Sequence, residues 1–236
     1  IDRVYGIHGR NYRLAAISTT ILIVIVTIVL SLEASFYLYP IFGILLFLYV
    51  FKATGQFHFP FLITLISGIT AEIFFLIDFN KYTYTVSIAM VFCFLSMLYA
   101  LREVMRFRVE NFPRHLYLEV LLGVFSVTTF IGYLAYEILP EIAHLTVFLI
   151  SFAGLLVFIL LLYAIPLFNK HPSNLLLTFI ATAVLVESAF AFIYKYILNI
   201  DFFLLVTLFC AGIAKVVFAM FLTRLESTKK IDEAYI

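Results

Sequence analysis

The sequence predicts an all-α, polytopic membrane bundle, and three observations carry that prediction. Of the 236 residues, 65% are apolar and only 12% are charged, whereas a soluble domain carries about 25% charged residues. The mean hydropathy is +1.14, so polar groups are too few to cover the surface in water. The apolar residues also fall in long continuous runs, unlike the short alternating segments of a membrane barrel. With 15 basic and 14 acidic residues the charges nearly cancel, and no run of like charge offers a footprint for nucleic acid. Cys93 and Cys210 both lie inside apolar stretches. They suggest neither a disulfide framework nor a zinc site.

A spanning helix needs about 20 mostly apolar residues. Eight stretches qualify, near 14–32, 36–52, 57–77, 83–101, 116–136, 143–165, 174–194 and 202–223. The first and second are parted by Glu33, and the second is bracketed by Tyr39-Pro40 and Lys52. Asp78 and Lys81 part the third from the fourth, Glu137 and Glu141 the fifth from the sixth, and Lys195 and Asp201 the seventh from the eighth. The loop from Arg102 to Arg114, with Pro113, is the most charged connection and divides the chain into two groups of four spans. These stretches fill the chain, so residues 1–236 read as one bundle with parallel halves, 1–103 and 114–236.

Orientation follows from Lys and Arg, which concentrate in cytoplasmic loops. With the N-terminus inside, Arg3, Arg10, Arg13, Lys52, Arg102, Arg106, Arg108, Arg114, Lys170, Arg224, Lys229 and Lys230 all fall on the inner side, and only Lys81 and Lys195 fall outside. Both termini are then expected in the cytoplasm, in keeping with a bacterial inner membrane. The expected partners are membrane lipid and either membrane-protein partners or further copies of the chain. No nucleic acid is among them.

Three ionisable residues lie inside these spans: Glu72, Glu187 and Lys215. Each costs on the order of 2.5–3.5 kcal/mol to insert near the bilayer centre, which marks it as a functional candidate. At 1.5 Å per helical residue, Glu72 sits roughly 22 Å from the inner boundary, Glu187 roughly 20 Å and Lys215 roughly 13 Å, with a stem that extends further outward. Thr64, Gly68, Ala71 and Glu72 share one helix face; Ala183, Glu187, Ala191 and Tyr194 share another; Ala211, Gly212, Lys215 and Ala219 share a third. Small residues at this spacing let backbones approach, so the charges are expected to face inward and meet. One ammonium can compensate only one of the two carboxylates. A neutral carboxyl beside an ionised one is the equipment for general acid and base catalysis. A structural ion pair stapling the helices is the plainer alternative.

Five places in the chain match a known pattern. Tyr39-Pro40 opens span two. Ser67-Gly68-Ile69-Thr70-Ala71-Glu72 leads into Ile73-Phe74-Phe75-Leu76 on span three. Phe92 to Tyr99 lies on span four. Val186-Glu187-Ser188 and Ala214-Lys215 lie on spans seven and eight. In this order the sequence resembles the YhhN family, the lysoplasmalogenases, which are eight-span membrane enzymes. The departures fall on polar residues: Glu72 and Glu187 stand where the family has aspartates, Ser96 where it has a histidine, and Lys215 where it has a glutamine. The resemblance implies hydrolysis of the vinyl ether bond of lysoplasmalogen to an aldehyde and a glycerophospho-alcohol. Glu72, Glu187 and Lys215 would form the catalytic centre, and Thr64, Ser96, Tyr99 and Tyr194 would contact substrate. A non-catalytic membrane subunit or lipid-binding protein is the alternative.

Lys215 also resembles the retinal-binding lysine of microbial rhodopsins, but those have seven spans and walls that usually include Trp, which is absent here. No cofactor and no metal are expected: no two histidines have ligand spacing. The Tyr and Phe residues read as lipid-facing bulk and interface belts, as at Tyr37, Tyr39, Tyr82 and Tyr84.

Overall fold

The computed structural model describes residues 7–105, 114–142, 144–168 and 173–234. Much of the basic loop, including Arg106, Arg108 and Pro113, lies outside the described residues, as do Arg3 and Lys170. Helix α1 spans Ile7–Val29. A single turn, α2 (Leu32–Ser35), follows, capped by Ser31, whose hydroxyl accepts the Ala34 N–H at 3.1 Å. Helix α3 (Leu38–Thr54) ends at Gly55, whose φ of 74° is the left-handed conformation that terminates helices and suits glycine. Then come α4 (Phe59–Leu101), α5 (Arg114–Ile138), a short 3₁₀ turn at Leu139–Glu141, α6 (Leu145–Phe168), α7 (Asn174–Phe192), a π-helical turn at Ile193–Ile197, and α8 (Asp201–Ala234). No strand occurs among the described residues.

Helix α4 is two arms. Straight, its 43 residues would run about 65 Å, twice the roughly 30 Å of a hydrocarbon core. Instead Asp78 (φ −163°, ψ 95°) and Tyr82 (φ −108°, ψ 16°) leave helical geometry. The Asp78 carboxylate accepts the Lys81 N–H at 3.2 Å and so caps the arm that follows. The break falls where the sequence places a loop between two spans. Pro60 opens the first arm, where a missing N–H costs nothing.

Six helices among the described residues are long and apolar enough to cross a membrane: Arg10–Val29, Leu32–Thr54, Phe59–Leu101, Leu145–Phe168, Asn174–Ile197 and Asp201–Ser227. They mark a multi-pass integral membrane protein. Neighbours along the chain pack together, as α6 with α7 and α7 with α8, while α1 packs on both α3 and α8 and α4 packs on α6. Tyr49 of α3 hydrogen bonds Thr223 of α8 at 3.2 Å within the core. Lipid-facing bulk is ordinary at Ile28, Leu30, Tyr37 and Leu175, all well exposed. Tyr39 corrects the interface-belt expectation: it is 4% exposed and packs in the core.

One close approach decides how α8 sits. A Cβ on Gly212 would stand 2.2 Å from Thr20 Cγ2 of α1, so only glycine lets these backbones meet. Gly212→Ala is expected to destabilise the bundle by about 1–3 kcal/mol, the usual cost of overpacking. Gly123→Ala, with open space at its Cβ position, is expected to be neutral. Unfolding midpoints in mixed micelles check the pair.

A polar centre in an apolar hollow as the candidate functional site

The two arms of α4, with α3, α6, α7 and α8, enclose a cavity of about 120 Å³. It is lined on the first arm of α4 from Phe61 to Phe79, on the second arm from Val86 to Met97 and on α8 from Thr207 to Phe218; the last two stretches each run roughly 16 Å. Aromatic clusters bound it at both ends. Phe79 gathers Phe75, Phe148 and Phe192 at ring separations of 5.1, 6.1 and 6.3 Å near the bend in α4. At the other end Phe61 meets Phe218 at 5.9 Å and Phe94 stacks on Phe158 at 5.3 Å.

Glu72, Glu187 and Lys215 all line this one cavity. Lys215 of α8 donates from Nζ to Oε1 of Glu72 on α4 and forms an ion pair with it. The two side chains are 13% and 17% exposed, largely sheltered inside the bundle. The same ammonium donates to the Ala211 carbonyl one turn back, at 3.3 Å. Gly68, one turn before Glu72, lies beside the lysine stem: a Cβ there would stand 3.6 Å from Lys215 Cε, an ordinary van der Waals contact. Glu187 of α7 lies within electrostatic reach of both Lys215 and Glu72. Among the described residues it has no ion pair and no hydrogen bond of its own. Of the three expected faces, that of Thr64, Gly68, Ala71 and Glu72 lines the cavity in full, the second only through Glu187 and Ala191 and the third only through Ala211 and Lys215.

The remaining expected contact residues divide. Thr64 lines the cavity, 3% exposed, and hydrogen bonds the Ser96 hydroxyl at 2.8 Å. Ser96 itself is buried behind Thr64 and does not line the cavity; its hydroxyl also donates to the Cys93 carbonyl at 2.9 Å. Tyr99 is 56% exposed, with Arg102 stacked over its ring at 4.1 Å, on the outer surface of the bundle. Tyr194 packs partly buried on the core, away from the cavity lining. Tyr39 and Cys93, which the sequence presented in other roles, and Ser87, Ser151 and Thr207, which it did not mark at all, also line the hollow. Ser151 and Thr207 donate to backbone carbonyls one turn back at 2.8 and 2.9 Å, which is ordinary for hydroxyls in apolar helices. Both cysteines are free. No group of three His, Cys, Asp or Glu side chains suited to a metal occurs among the described residues.

Chemically, the site offers one carboxylate held by an ammonium and a second carboxyl without such a partner. Both line one hollow whose other walls are mostly apolar. The Thr64–Ser96 bond joins the two arms of α4, so Ser96→Ala is expected to cost about 1 kcal/mol, the middle of the range for hydrogen bonds between membrane helices. Tyr99→Phe and Tyr194→Phe are expected to change stability by less than about 0.5 kcal/mol. Unfolding in mixed micelles measures all three.

No family model, no curated protein and no solved structure matches the chain.

Proposed function

We propose that the chain is a YhhN-like membrane hydrolase that cleaves the vinyl ether bond of a lysoplasmalogen-type lipid. The observation that carries this reading is the meeting of Glu72, Glu187 and Lys215 in one apolar cavity. The reading takes the chain as eight spans in the bacterial inner membrane, with α4 counted as two, α5 as one and both termini cytoplasmic. The bend at Asp78 and the helical run of α5 support that count, and the distribution of Lys and Arg supports the orientation.

The chemistry needs two groups. A carboxyl protonates the alkene carbon remote from the ether oxygen, and the electrons of the double bond form the new C–H bond. The adjacent carbon and the oxygen then share the positive charge of an oxocarbenium ion. A carboxylate takes a proton from water as the water oxygen bonds to that carbon. The resulting hemiacetal collapses to an aldehyde and a glycerophospho-alcohol. Glu187, without an ammonium partner, suits the acid; Glu72, paired with Lys215, suits the carboxylate that activates water. Positive charge developing between two acids and one base meets a site with an excess of negative groups.

Purified protein given lysoplasmalogen is expected to release fatty aldehyde, and Glu187→Gln and Glu72→Gln are each expected to lower the rate by about 100-fold or more, as loss of a positioned acid or base does. Full activity in both variants would remove the acid–base reading. The Lys215–Glu72 pair taken alone also supports a second reading, a non-catalytic subunit or lipid-binding protein whose charges staple helices. No aldehyde from the folded parent protein favours that one.

A further inference from the structure

The charges in the hollow do not balance. Two carboxyl groups share one amine, and the amine is committed: Lys215 donates to Glu72 and to the Ala211 carbonyl. Glu187 keeps its electrostatic neighbours but, among the described residues, no ion pair or hydrogen bond. A second polar group stands equally alone. Ser87, on the second arm of α4, lines the cavity and is 1% exposed, and its hydroxyl oxygen is buried without a hydrogen-bond partner among the described residues. A buried hydroxyl without a partner costs about 1–3 kcal/mol. Both groups accept hydrogen bonds. The adjoining wall is aromatic, with Phe75, Phe79 and Phe192 packed together, and ring faces attract cations.

We propose that this end of the cavity binds the ammonium head of a single-chain alkyl amine, with its chain lying along the hollow toward Phe61 and Phe218. An ammonium has three donors and no acceptor, which matches a carboxylate, an unpaired hydroxyl and ring faces. A neutral amine arriving from the bilayer takes the proton of the Glu187 carboxyl. It becomes the cation facing the carboxylate it leaves; one N–H bond forms as one O–H bond breaks. A phosphate head finds no uncommitted cation here. Binding stands on this charge inventory alone. Where it deepens the hydrolase reading it rests on that reading: the ammonium then occupies the place of the oxocarbenium charge and so competes with substrate.

The test is native mass spectrometry of delipidated protein with dodecylamine, dodecanol and dodecyl phosphate, chains of equal length with different heads. One dodecylamine is expected per chain, with the alcohol and the phosphate weaker by about tenfold or more, the worth of one charge-assisted contact. Glu187→Gln is expected to lower amine affinity about tenfold and Ser87→Ala about threefold, with dodecanol binding unchanged in both. Equal binding of amine and phosphate overturns the proposal, as does parent-like amine affinity in Glu187→Gln. If Glu187→Gln fails to fold, Ser87→Ala decides, and unchanged amine affinity there overturns it. Aldehyde release separates the two readings. Amine binding without hydrolysis removes the enzyme alone, and hydrolysis uninhibited by dodecylamine removes the amine site alone.

Discussion

The ion pair between Lys215 and Glu72 joins helices that lie far apart in the chain, and much of the inner architecture can be read as what that contact requires. Inside a bilayer neither charge has water to turn to, so each must find the other or remain outside the hydrocarbon. Bringing them together needs α4 and α8 to face one another across the hollow. Gly212 seats α8 against Thr20 of α1. Buried pairs of this kind contribute little net stability against well-packed apolar residues, yet removing one partner is expensive because the other is stranded. The pair is better understood as fixing which faces meet than as holding the bundle together. Packing of Phe61, Phe158, Phe218 and the neighbouring leucines and isoleucines does the latter.

The hollow beside that pair is unusual for its setting. Interiors are packed nearly as densely as crystals, yet the helices leave a cavity of about 120 Å³ between them at this point. Here the space coincides with the charged residues and with unpaired hydroxyl and carboxyl groups. The aromatic clusters around Phe79 and around Phe158 line its two ends. A single-chain amphiphile suits either reading of the function, because its chain meets the apolar walls and its polar part the unpaired groups.

The architecture was largely legible because lipid imposes a severe rule on sequence. A span must be apolar for its whole length, so Asp78 and Lys81 mark a break that is visible without coordinates, and α4 bends there. The same rule exposed Glu72, Glu187 and Lys215, since an ionisable side chain in hydrocarbon has few excuses. Small residues at helical spacing then indicated their faces. What stayed hidden was the rest of the wall. Serine and threonine can satisfy themselves on the backbone one turn back, so Ser151 and Thr207 look like any helical hydroxyl, and nothing in the sequence tells that Ser87 lacks such a bond. Tyr39 read as an interface residue because aromatics near a span end usually are, whereas its ring packs in the core among residues distant in the chain. Pattern likewise placed Tyr99 near the site, but the pattern did not say which side of the helix faces the hollow.

The most direct test of the convergence is a pair of double-mutant cycles on unfolding free energy in mixed micelles, Lys215→Met with Glu72→Gln and Lys215→Met with Glu187→Gln. The account predicts that Lys215→Met alone costs about 3–5 kcal/mol. Glu72→Gln is predicted to recover much of that loss, giving a coupling of about 2 kcal/mol or more, and Glu187→Gln a smaller coupling of the same sign. Additivity within about 0.5 kcal/mol in both cycles, the behaviour of residues that do not interact, would contradict the shared polar centre on which the proposed chemistry stands.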